Sequence, residues 1–135
     1  MMKSFHLKIA TPDGVAFDGQ VESLLVRTAE GDAEIMAGHM DFLSALGTGR
    51  ARLISDGNTR LASSSGGFVS VKNGEVSLVA TTFEFADEID INRARAAKER
   101  TESAILANTD KTVEELLKAK LARATSRINV WELNK

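Results

Sequence analysis

From the start of the chain to about residue 85, apolar and polar residues alternate; beyond that point apolar residues recur every three or four positions. The period thus passes from about 2 to about 3.6, which predicts sheet followed by helix. The change falls within the stretch Phe83 to Arg100, which also carries Glu84, Asp87, Glu88 and Asp90, then Arg93, Arg95, Lys98 and Arg100. A joint that concentrates acids and arginines is where function is to be sought.

In the alternating part, Phe5, Leu7 and Ile9 flank His6 and Lys8, the pattern of a half-buried strand. Thr11-Pro12-Asp13-Gly14 reads as a turn, because Pro presets φ and Gly accepts conformations other residues avoid. Val15 to Ala29 predicts one or two strands, with Gly19 as a bulge or break, and Glu30-Gly31-Asp32 as a turn. Ala33 to Leu46 is less regular: Ile35-Met36 and Phe42-Leu43 are apolar pairs around a tight Ala37-Gly38-His39 loop. Asp56-Gly57 and Asn73-Gly74 each predict a hairpin turn with positive φ. Ser63 to Gly67 reads as a small, flexible segment; it is no phosphate loop, since the Lys-Ser/Thr ending and following helix are missing. Many short strands with frequent turns predict a sandwich or barrel. A core of roughly 85 residues is small, so such a domain is expected to draw stability from a partner.

In the second part, Ala94, Ala97, Thr101, Ala104 and Ile105 form one helical stripe. Asn108-Thr109-Asp110 interrupts it, and Thr112-Val113-Glu114-Glu115 has the form of a capping box. Val113, Leu116, Leu117, Leu121, Ala124, Ile128 and Trp131 then recur at helical spacing. The short link predicts an antiparallel hairpin. The fold class is therefore α+β: an all-β sandwich over residues 1–86, then a two-helix hairpin over 87–135. A hairpin buries only one face by itself, so it must dock, and more than one dock is open to it.

Composition narrows the function. With 43% hydrophobic and 27% charged residues among 135, the chain has the make-up of a soluble globular protein. No apolar run reaches the roughly 18–20 residues that cross a bilayer, and no signal peptide is evident. The absence of Cys excludes disulfides and thiolate metal sites. Residues 1–87 hold seven basic and eleven acidic groups, and 88–135 hold ten and eight. That basic excess is too mild for a nucleic-acid-binding tail, yet it suits an acidic surface or a phosphate. His6 and His39 are too few for a metal site, and His39 has no evident Ser or Asp partner for catalysis. His39, Met36 and Phe42 are read as loop or interface residues, with core packing the other reading for the last two.

Five features in this order resemble the epsilon subunit of F-type ATP synthases: Thr11-Pro12-Asp13-Gly14, Ala37-Gly38-His39, Ser65-Gly66-Gly67-Phe68-Val69-Ser70-Val71, Glu88-Ile89-Asp90, and Arg93-Ala94 opening an Ala-rich helix. The likeness spans nearly the whole chain. It implies a non-catalytic subunit at the cytoplasmic face of the cell membrane, held there only through the complex. The sandwich would bind the rotary gamma subunit and the ring of c subunits. The hairpin would be mobile, folded on the sandwich or extended along gamma toward the alpha and beta subunits, where the extended form inhibits ATP hydrolysis.

The resemblance also implies ATP as a regulatory ligand, with no cofactor required. The family motif of Ile or Leu, Asp, two variable residues, Arg and Ala is complete in Ile89-Asp90-Ile91-Asn92-Arg93-Ala94. Glu84, Arg100, Arg123 and Arg127 match the further residues that ATP-binding relatives use. Phe83-Glu84-Phe85 stands where relatives read Ala-Glu-Arg, and Ala37 where they carry Pro; the aromatic pair is expected to alter how the hairpin rests on the sandwich. Arg93 and Arg100 share one helix face, Arg123 and Arg127 another. Four converging guanidinium groups repel unless an anion sits among them, and triphosphate fits their planar donor sets. The plainer reading leaves all four solvated and gives Asp90 only a capping role. Lys118 and Lys120, with Arg123 and Arg127, also suit an acidic loop of the beta subunits. Two readings thus stand: an ATP-sensing regulator, or a purely structural coupling subunit.

Overall fold

A computed structural model describes residues 3–134. Ten strands precede two helices: β1 (Phe5–Thr11), β2 (Gly14–Val21), β3 (Ser23–Thr28), β4 (Gly31–Met36), β5 (Phe42–Ala45), β6 (Gly49–Ser55), β7 (Asn58–Ser65), β8 (Phe68–Lys72), β9 (Glu75–Val79), β10 (Thr82–Phe85), α1 (Ile91–Ala107) and α2 (Lys111–Leu133). One sheet has the order β2-β1-β9-β8-β5 and the other β10-β7-β6-β3-β4. All pairs are antiparallel except β1 with β9, where Leu7 faces Val76 and Ile9 faces Leu78.

Alternation sends Leu7, Ile9, Val21, Leu24, Val26, Ile35, Val69 and Leu78 between the sheets, where all are fully buried. The Asp56-Gly57 turn joins β6 to β7 and the Asn73-Gly74 turn joins β8 to β9, with φ of +51° and +77° in the first and +51° and +80° in the second. These are the left-handed pairs whose twist matches that of a two-residue hairpin.

Four local expectations change. The β1–β2 register slips between Ile9 and Ala10, opposite Phe17 and Val15, so the extra residue is Ala16 and Gly19 sits in regular ladder. Ser63 to Ser65 are not a flexible segment but the end of β7, at 5%, 3% and 7% exposure. Short hydroxyl side chains read as solvent-facing, yet here a helix and the core cover them. The cap of α2 is Asp110, whose carboxylate accepts from the Thr112 backbone N–H at 2.9 Å and from the Thr112 hydroxyl at 2.7 Å. Thr112 is thereby drawn inside the helix instead of capping it. Val113 and Leu116 lie outside the buried stripe, at 39% and 64% exposure, because the start of α2 runs beyond the sandwich.

A 3-10 turn, Ala86–Glu88, links β10 to α1. Asp90 caps α1 through the Arg93 backbone N–H at 3.1 Å. The helices pack against each other, and α2 is the one laid on β6 and β7. Among the described residues, no helix is long and apolar enough to cross a membrane.

Candidate functional site

The hairpin is fastened to the sandwich at three small points. Ala86, Ile89 and Val130 form a buried cluster, edged by Leu61 and Trp131. Ser63 and Ser126 share a hydrogen bond at 2.7 Å, both hydroxyls buried. Arg127 Nε stands 3.3 Å from Glu84 Oε1, an ion pair whose side chains are 31% and 37% exposed. Burying an Ile or Val is worth about 1.5–3 kcal/mol, and a part-exposed ion pair no more than about 1 kcal/mol. Each of these contacts is modest on its own.

Of the four arginines read as one group, three meet. Arg100 from α1, with Arg123 and Arg127 from α2, line an inter-helix groove of about 340 Å³. Lys120 lines it too, and Ala97, Thr101, Ala104 and Ala124 keep it open by being small. Arg93 is exposed one turn into α1 and lies outside this lining. Glu84 reaches the site from β10 through Arg127. Ile89 and Ala94 are buried at the root of the hairpin, at 7% and 5% exposure, and Asp90 holds the helix start beside them. Like charges gathered in one groove make it attractive to an anion.

Phe83 and Phe85 touch edge to face at 5.2 Å and turn into the sandwich, where Arg60 lies 3.6 Å over the Phe85 ring. Of this triplet, Glu84 is the residue whose side chain pairs with α2. Lys118 points to the other flank of α2, where it pairs with Glu114 at 3.2 Å.

The expected partner residues cluster at one end of the sandwich. Gly38 at φ +81° turns the chain between β4 and β5. His39 donates from Nδ1 to the Met40 carbonyl oxygen, 2.8 Å away, and its ring stands 5.7 Å from that of Phe42. Met36 is 43% exposed, whereas Phe42 packs partly against the core.

Register reveals an apolar row the linear order concealed. On the sheet away from the hairpin, Ala45 pairs with Phe68, Phe68 with Val79, Val79 with Ala10, and Ala10 with Val15. Phe68, Val79 and Val15 are 44%, 38% and 58% exposed, and Leu43 beside them 71%. The only available signal was an apolar residue at the outward position of each strand.

His6 is bound on both sides. Nε2 lies 2.5 Å from Asp18 on β2, and Nδ1 lies 2.7 Å from Glu75 on β9. Those bonds, Asp18 first and Glu75 next, raise its pKa above the ordinary 6.5. Among the described residues, no group of three or more His, Cys, Asp or Glu could hold a metal ion.

Residues 4–86 match the family model of the ATP synthase delta/epsilon chain β-sandwich domain, and residues 87–132 that of its long α-helix domain. This chain belongs to the ATP synthase delta/epsilon family. The ATP synthase epsilon chain of Bacillus velezensis is 39% identical over 129 residues, covering 96% of this chain and 98% of that one. That of Caldicellulosiruptor bescii is 35% identical over 134 residues, covering 99% and 98%. In fold, the chain resembles one in the mitochondrial ATP synthase of Euglena gracilis, with a TM-score of 0.80, 21% identity, and coverage of 99% and 83%. The ATP synthase epsilon relatives thus share both parts of the fold in the same order.

Proposed function

We propose that this chain is the non-catalytic epsilon subunit of the ATP synthase central stalk, coupling rotor to catalytic head and restraining ATP hydrolysis through its hairpin. The sandwich meets the gamma subunit and the c-ring, and the exposed row of Phe68, Val79 and Val15 with Leu43 suits such a contact. The Met36 and His39 end of the sandwich extends it. The extended hairpin meets the alpha and beta subunits, its basic residues against acidic loops. Membrane association, at the cytoplasmic face, comes only through the complex.

ATP favours the folded hairpin by population shift. The observation that carries this reading is the groove shared by Arg100, Arg123 and Arg127, which exists only while the helices lie side by side. Triphosphate neutralises these cations, and Glu84 with Asp90 supplies acceptors for the adenine amino group or ribose hydroxyls. Arg127 must exchange Glu84 for phosphate oxygens, so binding reorganises an existing ion pair.

Calorimetric titration of ATP into the isolated chain tests it. Saturable heat is expected, weakened at least about tenfold by Arg123→Ala, since a charge-assisted bond is worth about 1.5–3 kcal/mol. No heat at millimolar ATP would leave the purely structural coupling role, in which the apolar cluster, the Ser63–Ser126 bond and the Glu84–Arg127 pair hold the hairpin without nucleotide.

A further inference from the structure

A second cavity lies on the flank of α2 away from Arg123. It measures about 710 Å³ and opens between α2 and the strands β3, β4 and β6. The two grooves share no lining residue. The sandwich contributes Arg27, Asp32 and Arg50, and the helix contributes Lys118. Three cations face one carboxylate.

Arg27 is held in place. Its stem crosses Gly47 and Gly49, where a Cβ at residue 49 would stand 3.0 Å from its Cβ and 3.1 Å from its Cγ. Asp32 takes its Nε at 2.6 Å. Both terminal nitrogens are left without a side-chain partner among the described residues, on a guanidinium that no longer needs ordering. A preorganised fork of this kind binds phosphate oxygens at reduced entropic cost. Arg50 is exposed and makes no ion pair among the described residues. Lys118 is engaged only by the solvent-facing Glu114, a pair of small worth. Leu121 and Leu133 add apolar surface to the lining of the groove.

We propose that this groove is a second anion site, one that takes a phosphate-bearing small molecule between the cradled Arg27, Arg50 and Lys118. Its cations come from both parts of the chain, so an occupant joins α2 to the sandwich. It acts on the same hinge as the nucleotide groove but from the opposite flank, and it does not depend on nucleotide binding there. Binding weakens with salt, as expected for exposed cations.

The test uses the full chain and inorganic pyrophosphate, followed by backbone amide NMR at low salt. Saturable shifts are expected at Gly49, Arg50 and Asn129, with slower amide exchange along α2. Arg50→Glu weakens the affinity at least about fivefold, a loss close to 1 kcal/mol. Gly49→Ala keeps every charge, displaces the Arg27 stem, and weakens it similarly. Arg123→Glu leaves it within about twofold. Undiminished affinity in Arg50→Glu, shifts confined to Arg100, Arg123 and Arg127, or no saturable binding would each overturn the proposal. A failure of ATP to bind alters none of these outcomes, so the two readings fail separately.

Discussion

Ser63 and Ser126 touch hydroxyl to hydroxyl at 2.7 Å, and the pair is the buried polar seam between sheet and hairpin. Each is under 9% exposed, so neither oxygen has ready access to water while the hairpin is docked. Once undocked, both are satisfied by solvent. The bond therefore acts on the docked pose alone.

Replacing one partner penalises docking. In Ser126→Ala the Ser63 hydroxyl stays covered and unpaired, at about 1–3 kcal/mol. The double variant Ser63→Ala with Ser126→Ala removes both needs and is expected to recover most of that loss. Amide hydrogen exchange along α2 reads the effect: faster in either single variant, near the parent rate in the double. Equal rates in all four proteins would show the seam to be idle. Ser64, on the core side of the same strand, has a buried hydroxyl with no hydrogen-bond partner among the described residues. Ser64→Ala is expected to stabilise the sandwich by about 1 kcal/mol and leave α2 exchange unchanged.

His6 gives the sandwich a pH dependence of known sign. Asp18 and Glu75 face its two nitrogens from the neighbouring strands, Lys8 shares its strand face, and Lys72 lies in register with Glu75. Its folded pKa is raised above the ordinary 6.5, first by the Asp18 bond and then by the Glu75 bond. The protonated ring is favoured by folding, so its contribution is complete below 6.5 and fades as pH rises through the folded value. Urea unfolding is expected to show a midpoint falling from pH 6.5 upward, and His6→Gln to flatten that slope. A parent midpoint that holds or climbs across this window contradicts the assignment.

Gly67 is the position least able to accept a side chain. Its φ is +86°, and a Cβ there would sit 1.8 Å from the Val79 carbonyl oxygen. Since backbone cannot step aside, Gly67→Ala is expected to cost more than about 3 kcal/mol. Gly57→Ala, at φ +77° with open space around the added atom, should cost only the left-handed penalty of about 1 kcal/mol. Calorimetric melting of the two variants separates crowding from conformation.

The parts of the fold written in local chemistry were readable from the chain. The Asp56-Gly57 and Asn73-Gly74 pairs specify their turns because only residues tolerant of positive φ close a two-residue loop. The change of period placed the helices because a face must repeat to be buried. What depended on distant pairing was hidden. Phe68, Val79, Ala10 and Val15 become one row only through register between four strands. Ser63 gained a burial role only when α2 was laid across it. Asp110 and Thr112 both carry capping oxygens, and the choice between them rests on the extended backbone at Asp110, φ −98° and ψ 115°. The arginine groove was legible in part: heptad spacing puts Arg93 and Arg100 on one face of α1, yet only Arg100 lines the groove with Arg123 and Arg127, and Arg93 stays outside it.

The parallel bond of β1 to β9 also orders the birth of the molecule. Leu7 pairs with Gly19 on one side and with Val76 on the other, so the second edge of β1 waits for almost the last strand of the sandwich. Loop closure over that span is slow, while the following helices need only near neighbours. During synthesis the β1–β2 hairpin therefore keeps one edge open until β9 is made, and the platform on which the helices come to rest is completed only just before they are.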